Sequence, residues 1–281
     1  MTIAESLQTA SKKLGVAGVS QPAREASSLL MHAIGRDLTF LIAHPEYELT
    51  TDEKIIFESY ITRRQTREPF QHIVGKQEFY GLDFIVSPDV LIPRPETELL
   101  VEMAIDSLRG SENPRFCEVG VGSGCISVSI LHELPKSTAV GLDISKAAIN
   151  VARKNAANNG VVDRIEFLVS DILGSVELTK FDAIVSNPPY IPFADIPNLQ
   201  PEVRDFDPSI ALTDGGDGLT IIRRIICDAP NFLRPRGFLV MEIGIGQADD
   251  VRKMLSPLVW DTIEFYTDLQ AIPRTVRASL K

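Results

Sequence analysis

From Arg115 onward the chain alternates short apolar, β-branched runs with segments of helical periodicity. Runs of that kind are buried on both faces only when helices cover a sheet from both sides, so the pattern predicts an α/β fold built on a parallel sheet. The predicted strands are residues 115–119, 138–143, 165–169, 181–185, 237–242, 262–266 and 275–280. Helices are predicted over 125–131, 145–157 and 219–233. The segment from Pro188 to Pro208 has no regular pattern, and a loop of that length in a compact domain tends to be a lid or a binding loop.

The first part of the chain differs. Ile3, Leu7, Ala10 and Leu14 form an apolar stripe closed by Gly15, and Pro22 opens a second helix with Ala26, Leu29, Leu30, Ala33 and Ile34 inward. Asp37 is placed to cap a short third helix. Thr50 and Glu53 have capping-box spacing ahead of a fourth, whose buried face reads Ile56, Phe57, Tyr60 and Ile61. Arg63, Arg64 and Arg67 at its end are expected to complement the helix dipole. Residues 1–68 are therefore expected to form a small α-helical bundle, a recognition or docking module. Residues 69–92 read as a β-hairpin linker, with runs 73–79 and 82–86 flanking Tyr80-Gly81. Pro93-Arg94-Pro95 then stops regular structure before a helix that turns Leu99, Leu100, Met103 and Ala104 inward, and Arg94 is expected to be a solvated linker arginine. Residues 93–281 make the third part.

Lys plus Arg number 28 against 38 Asp plus Glu, a net charge of −10, which makes nucleic-acid phosphate an unfavourable partner. No direct nucleic-acid binding is expected. Cys117, Cys125 and Cys227 lack the spacing of a disulfide framework or a zinc site, and Cys117 and Cys227 are expected to be buried. No metal site is expected. The start Met1-Thr2-Ile3-Ala4-Glu5 does not resemble a signal peptide, and no apolar run reaches membrane-spanning length. A cytoplasmic monomer away from membranes is expected.

The ends of the predicted strands carry the chemistry. The first ends in Glu118-Val119-Gly120-Val121-Gly122-Ser123-Gly124, where glycines let a ligand approach unobstructed main-chain N–H groups. Gly-x-Gly-x-Gly is neither the dinucleotide Gly-x-Gly-x-x-Gly nor a phosphate loop, which would carry Lys-Ser/Thr; it suits a nucleoside-bearing cofactor or a plain tight turn. Asp143 ends the second strand, where a carboxylate grips a ribose diol. Asp171 and Ile172 follow the third, an acceptor for an adenine amine beside an apolar contact. The fourth ends in Asn187-Pro188-Pro189-Tyr190. The prolines cannot join a sheet ladder, so the chain leaves as a stiff elbow carrying a carboxamide, free carbonyls and an aromatic ring.

These four strand ends resemble those of S-adenosylmethionine-dependent methyltransferases that modify planar amino groups, on adenine N6 or on glutamine. Leu91-Ile92-Pro93-Arg94-Pro95-Glu96-Thr97-Glu98, Ile184 to Pro192, and Asp214-Gly215-Gly216-Asp217-Gly218-Leu219 narrow the resemblance to the release-factor glutamine methyltransferases, the HemK type. Glu68 to Gly75 and Leu233 to Gly237 extend it. The resemblance implies a Rossmann-like, seven-stranded class I methyltransferase domain with S-adenosyl-L-methionine as cofactor. It also implies class 1 peptide chain release factors as substrate, methylated on the glutamine of a Gly-Gly-Gln motif. On that resemblance Gly120, Val121, Gly122, Ser123 and Gly124 line the cofactor's methionine end, Asp143 holds the ribose, and Asp171 with Ile172 the adenine. Asn187, also beside the cofactor, Pro188, Pro189 and Tyr190 form the catalytic substrate site. Two positions depart from the family pattern: Glu118 where Asp is common and Val121 where Thr is common. The alternative reading is an adenine N6 methyltransferase, which calls for a basic, aromatic recognition segment not seen here.

Overall fold

The computed structural model describes residues 1–177 and 180–281. The chain forms two compact units, Met1–Lys76 with Gln200–Phe206, and Gln77–Leu199 with Asp207–Lys281.

The first unit is helical. α1 (Ile3–Val16), α2 (Pro22–Ile34), α3 (Leu38–Ala43), α4 (Thr51–Gln65) and α5 (Phe70–Val74) enclose Ile3, Leu14, Leu29, Leu30 and Phe57. Their starts are marked by side chains. The Thr50 hydroxyl accepts the Glu53 N–H at 3.3 Å while the Glu53 carboxylate accepts the Thr50 N–H at 2.8 Å. Thr2 and Glu5 repeat this pairing, and Asp37 accepts the Phe40 N–H at 2.8 Å. Each cap contributes about 1 kcal/mol.

Two expectations about α4 change. Ile56 is exposed, because the buried stripe runs through Phe57 and Ile61 and position 56 lies a third of a turn off it. The arginines do more than face a dipole. Buried Arg64 donates to Glu25 at 2.5 and 3.1 Å and to Glu202 at 3.0 Å, and Arg67 reaches Glu202 at 2.6 Å. Arg63 pairs with Glu68 and donates to the His72 carbonyl at 3.1 Å. Residues 73 and 74, read as strand, are the end of α5: Pro69 starts it and Gly75, at φ +74°, stops it. The hairpin is shorter than predicted, β1 (Lys76–Phe79) and β2 (Leu82–Ile85).

In the second unit the chain continues through α6 (Glu98–Leu108), β3 (Arg115–Val119), α7 (Cys125–Glu133), β4 (Thr138–Asp143), α8 (Lys146–Asn158), β5 (Ile165–Val169) and β6 (Phe181–Ser186). The short helix α9 (Pro201–Arg204) falls in the first unit. Then come α10 (Ser209–Leu212), α11 (Thr220–Asp228), β7 (Leu233–Glu242), α12 (Ala248–Met254), β8 (Trp260–Thr267) and β9 (Pro273–Leu280). β7 starts four residues earlier than predicted, at Leu233, and α11 correspondingly ends at Asp228.

Among the described residues, seven strands form one sheet in the order β5-β4-β3-β6-β7-β9-β8. The first five are parallel; β9 runs antiparallel to β7 and β8. The sheet is thus mixed rather than purely parallel. The loop between β8 and β9 is a tight one, its turn fixed by Asp268 accepting N–H bonds from Gln270 and Ile272, and such a loop can join only antiparallel strands. Side chains alternate between two cores: Phe116, Val185 and Val240 pack with α6, α7 and α8, and Cys117, Ile184 and Met241 with α11 and α12. Cys227 is exposed, contrary to expectation, since α11 buries Ile222, Ile225 and Ile226 and turns 227 outward. The chain order reverses at β3, which lies between β4 and β6. In an open α/β sheet, that reversal leaves a crevice at the carboxyl ends of the strands.

Candidate active site

At that crevice Val119 pairs with Leu142 of β4 on one side and with Ser186 of β6 on the other. The Ser186 hydroxyl donates to the Val119 carbonyl at 2.7 Å, so the ends of β3 and β6 are tied together. Beyond Val119 the chain folds over the end of β4. The N–H groups of Gly120 and Val121 both donate to the Leu142 carbonyl at 2.8 Å, and Gly122 donates to Asp143 at 2.9 Å. Gly120 and Gly122 need left-handed backbone here, at φ +75° and +52°, and nothing stands where a Gly122 Cβ would lie. The loop borders a cavity of about 390 Å³.

Of the residues singled out from the sequence, Gly120, Val121, Gly122, Ser123, Asp143, Asp171, Ile172, Asn187 and Pro189 line this cavity. Gly124, Pro188 and Tyr190 do not. Gly124, at φ +83°, caps the start of α7 and packs closely against Ala152, where a Cβ would lie within 3.2 Å of the alanine methyl. Val121 is buried in the core with Phe167, so its role in the fold is packing.

The carboxylates of Asp143, Asp171 and Glu118, at the ends of β4, β5 and β3, stand in different settings. Asp143 accepts from Gly122 through one oxygen and from the Ser145 N–H, at 2.8 Å, through the other; burial raises its pKa and these bonds oppose the rise. Asp171 lies at the exposed rim, where Arg224 donates to it at 2.8 Å. Glu118 is fully buried. One of its oxygens accepts from both the N–H, at 2.9 Å, and the hydroxyl of Ser127; the other, Oε1, is buried without a hydrogen-bond partner in the described residues. Burial pushes this carboxyl up to about 8.

The elbow is held by groups outside the expected site residues. Asn187 Nδ2 donates to the Thr97 hydroxyl at 3.1 Å. The Tyr190 phenol donates to Glu242 at 3.0 Å, and burial followed by the Glu242 charge raises its pKa. The Tyr190 carbonyl accepts from Gln247 Nε2 at 2.9 Å. Asp214 accepts N–H bonds from Gly216, Gly218 and Thr220, a loop whose Gly218 lies directly against the Tyr190 carbonyl. Arg94, read as solvated, lines the cavity and pairs with Asp207 at 2.5 Å. The signals were present in Pro-Arg-Pro-Glu-Thr and Asp-Gly-Gly-Asp-Gly, but Glu242 and Gln247 sit in stretches with no local signature. Among the described residues no cluster of His, Cys, Asp or Glu could hold a metal ion, and no helix is long and apolar enough to cross a membrane.

Residues 5–75 match the family model of the PrmC N-terminal domain, and residues 95–195 that of the methyltransferase small domain. The chain is 40% identical to the release factor glutamine methyltransferase of Koribacter versatilis, over 98% of each chain. It is 43% identical to that of Geobacter sulfurreducens, over 85% of this chain and 83% of the relative. Among solved structures, the hMettl16 catalytic domain superposes with a TM-score of 0.60 at 16% identity, covering 87% of this chain and 93% of that one, which shows a shared methyltransferase fold. With near-complete coverage at such identity, the chain belongs to the release factor glutamine methyltransferases.

Proposed function

We propose that this protein transfers a methyl group from S-adenosyl-L-methionine to the side-chain amide nitrogen of the glutamine in the Gly-Gly-Gln motif of class 1 peptide chain release factors. The observation that carries the reading is the place of Asn187. It lines the same cavity as Gly120, Gly122 and Asp143, with its amino group already engaged by Thr97.

The residues present fit the cofactor. Glu118 Oε1 is a buried acceptor without a partner in the described residues, suited to an ammonium group. The open Gly122 position admits a close approach, and Asp143 keeps unused lone pairs for a diol. Asp171 and Ile172 border the part of the cavity assigned to the base, Asp171 while paired with Arg224. S-adenosyl-L-methionine supplies a methyl group on a positively charged sulfur, whose leaving group is a neutral thioether.

The chain's own residues address the weakness of the nucleophile. An amide nitrogen shares its lone pair with the carbonyl, and positive charge develops on it as the new C–N bond forms and the sulfur–methyl bond breaks, until the nitrogen gives up one of its two protons to water. Asn187 Oδ1 and the Pro188 carbonyl accept the two amide N–H bonds of the substrate, orient the nitrogen, and stabilise that charge more than they stabilise the ground state. The two prolines keep these acceptors rigid. Tyr190, held by Glu242 and Gln247, braces the elbow from behind. Residues 1–68 serve as the docking module for the release factor, 69–92 as the hairpin linker and 93–281 as the catalytic domain. The protein acts as a cytoplasmic monomer on a protein substrate, and its net charge of −10 disfavours nucleic acid.

Methyl-transfer assays with labelled cofactor test this directly. Label should enter a release factor and vanish when its motif glutamine is changed to alanine. Label entering DNA or RNA while release factors stay blank would overturn the reading.

A further inference from the structure

Glu242, at the end of β7, is 1% exposed and uses both oxygens on hydroxyl groups. Oε2 accepts from Thr97 Oγ1 at 2.7 Å and Oε1 from the Tyr190 phenol at 3.0 Å. Thr97, also 1% exposed, stands between the Pro-Arg-Pro turn and α6, and accepts from Asn187 Nδ2 at 3.1 Å. The three side chains come from remote parts of the sequence and form one chain of hydrogen bonds, Asn187 to Thr97 to Glu242.

With Glu242 ionised, the form that its bonds to Thr97 and Tyr190 favour, the direction of that chain is dictated by proton count. A threonine hydroxyl has one hydrogen, and a carboxylate only accepts. With its hydrogen committed to Glu242, Thr97 offers Asn187 nothing but lone pairs. Asn187 must then turn its amino group toward Thr97 and its oxygen away from it. If the carboxamide were rotated by half a turn, its oxygen would meet the lone pairs of Thr97. Its amino group would then be presented where the substrate's own N–H bonds must be accepted. Burial raises the pKa of Glu242 and Glu96 adds to the rise, while Thr97, Tyr190 and Arg274 favour the charged form.

We propose that Thr97 and Glu242 are positioning residues that lock the Asn187 carboxamide in its acceptor orientation, with Glu242 fixing the Tyr190 end of the elbow through its second oxygen. This rests on the reading that Asn187 accepts from the substrate amide, and it adds how that acceptor is specified. Neither residue needs to touch the glutamine.

The test compares wild type with T97V and T97S in steady-state methylation of a release factor, with cofactor affinity by calorimetry as a check that the cavity is formed. Valine has the shape of threonine without the hydroxyl; serine restores the hydroxyl without the methyl. T97V should lower kcat about 10- to 100-fold while KM for the release factor moves by no more than about threefold. T97S should recover kcat to within about threefold of wild type. Wild-type kcat in T97V, or T97S as impaired as T97V, would overturn the inference. A T97V protein that no longer binds cofactor would also overturn it, since the residue would then hold the cavity rather than orient Asn187. Wild type that leaves the motif glutamine unlabelled would instead overturn the functional reading itself, and the inference with it.

Discussion

Asp207, with a side chain only 1% exposed, accepts from the Arg94 guanidinium at 2.5 Å, and Arg94 lines the cavity that the glycine loop borders. Changing Asp207 to alanine leaves Arg94 without this carboxylate. The variant should lose about 2 kcal/mol of stability, read from urea denaturation. An unchanged midpoint would show that solvent replaces the pair at no cost.

The Glu118 carboxyl makes a second prediction, in pH. Its value in the folded protein, about 8, lies above the ordinary 4.5, with burial as the main cause. The folded state therefore holds an extra proton between these values. Its contribution to stability is fully present below about pH 4 and is lost as pH rises through about 8. Glu118→Gln should fall less steeply in stability than wild type across that window. Parallel curves from denaturation at a series of pH values would contradict this.

Gly218 lies against the Tyr190 carbonyl with φ +76°, so an added methyl group would both strain the backbone and collide with the elbow. Gly218→Ala should cost at least about 1 kcal/mol and depress methylation, because the elbow must shift to make room. Thermal unfolding and kcat are the measurements, and wild-type values in both would reject the prediction.

Asn187→Asp keeps an acceptor but loses the donor that Thr97 receives. The new carboxylate and Glu242 would compete for the single Thr97 hydrogen. Methylation should fall by about 100-fold or more. Activity near wild type would mean that orientation at this position is set by something else.

Within the helical unit, Arg64 is 4% exposed between Glu25 and Glu202. Arg64→Ala strands Glu25 and leaves Glu202 to Arg67 alone, and should cost about 3 kcal/mol. A loss well under 1 kcal/mol, by denaturant titration, would place the network among surface pairs of little weight.

How much of this was legible depends on range. Local chemistry was readable: the capping boxes at Thr2 and Thr50, the strand that stops before Pro188, and the glycines after Val119 all act through residues within a few positions. The hairpin start is not legible because Ile73 and Val74 suit a strand by composition, while Pro69 and Gly75 enclose them in a helical turn. Arg94 looks solvated in sequence because its partner, Asp207, is 113 residues away. Arg64 looks like a partner of the helix dipole for the same reason, its carboxylates being 39 and 138 residues distant.

The sequence by itself determined the α/β alternation, the helical first part, and the set of strand ends where Gly120, Asp143, Asp171 and Asn187 would gather. Periodicity and turn chemistry are local, and parallel strands share a common edge once the crossovers are made. Only the tertiary structure decided which groups stand behind that edge. Glu242 meets Thr97 across 145 residues and Thr97 meets Asn187 across 90. Hydrogen bonds of that reach leave no period in the sequence, because they exist only after the sheet order brings β7 beside β6.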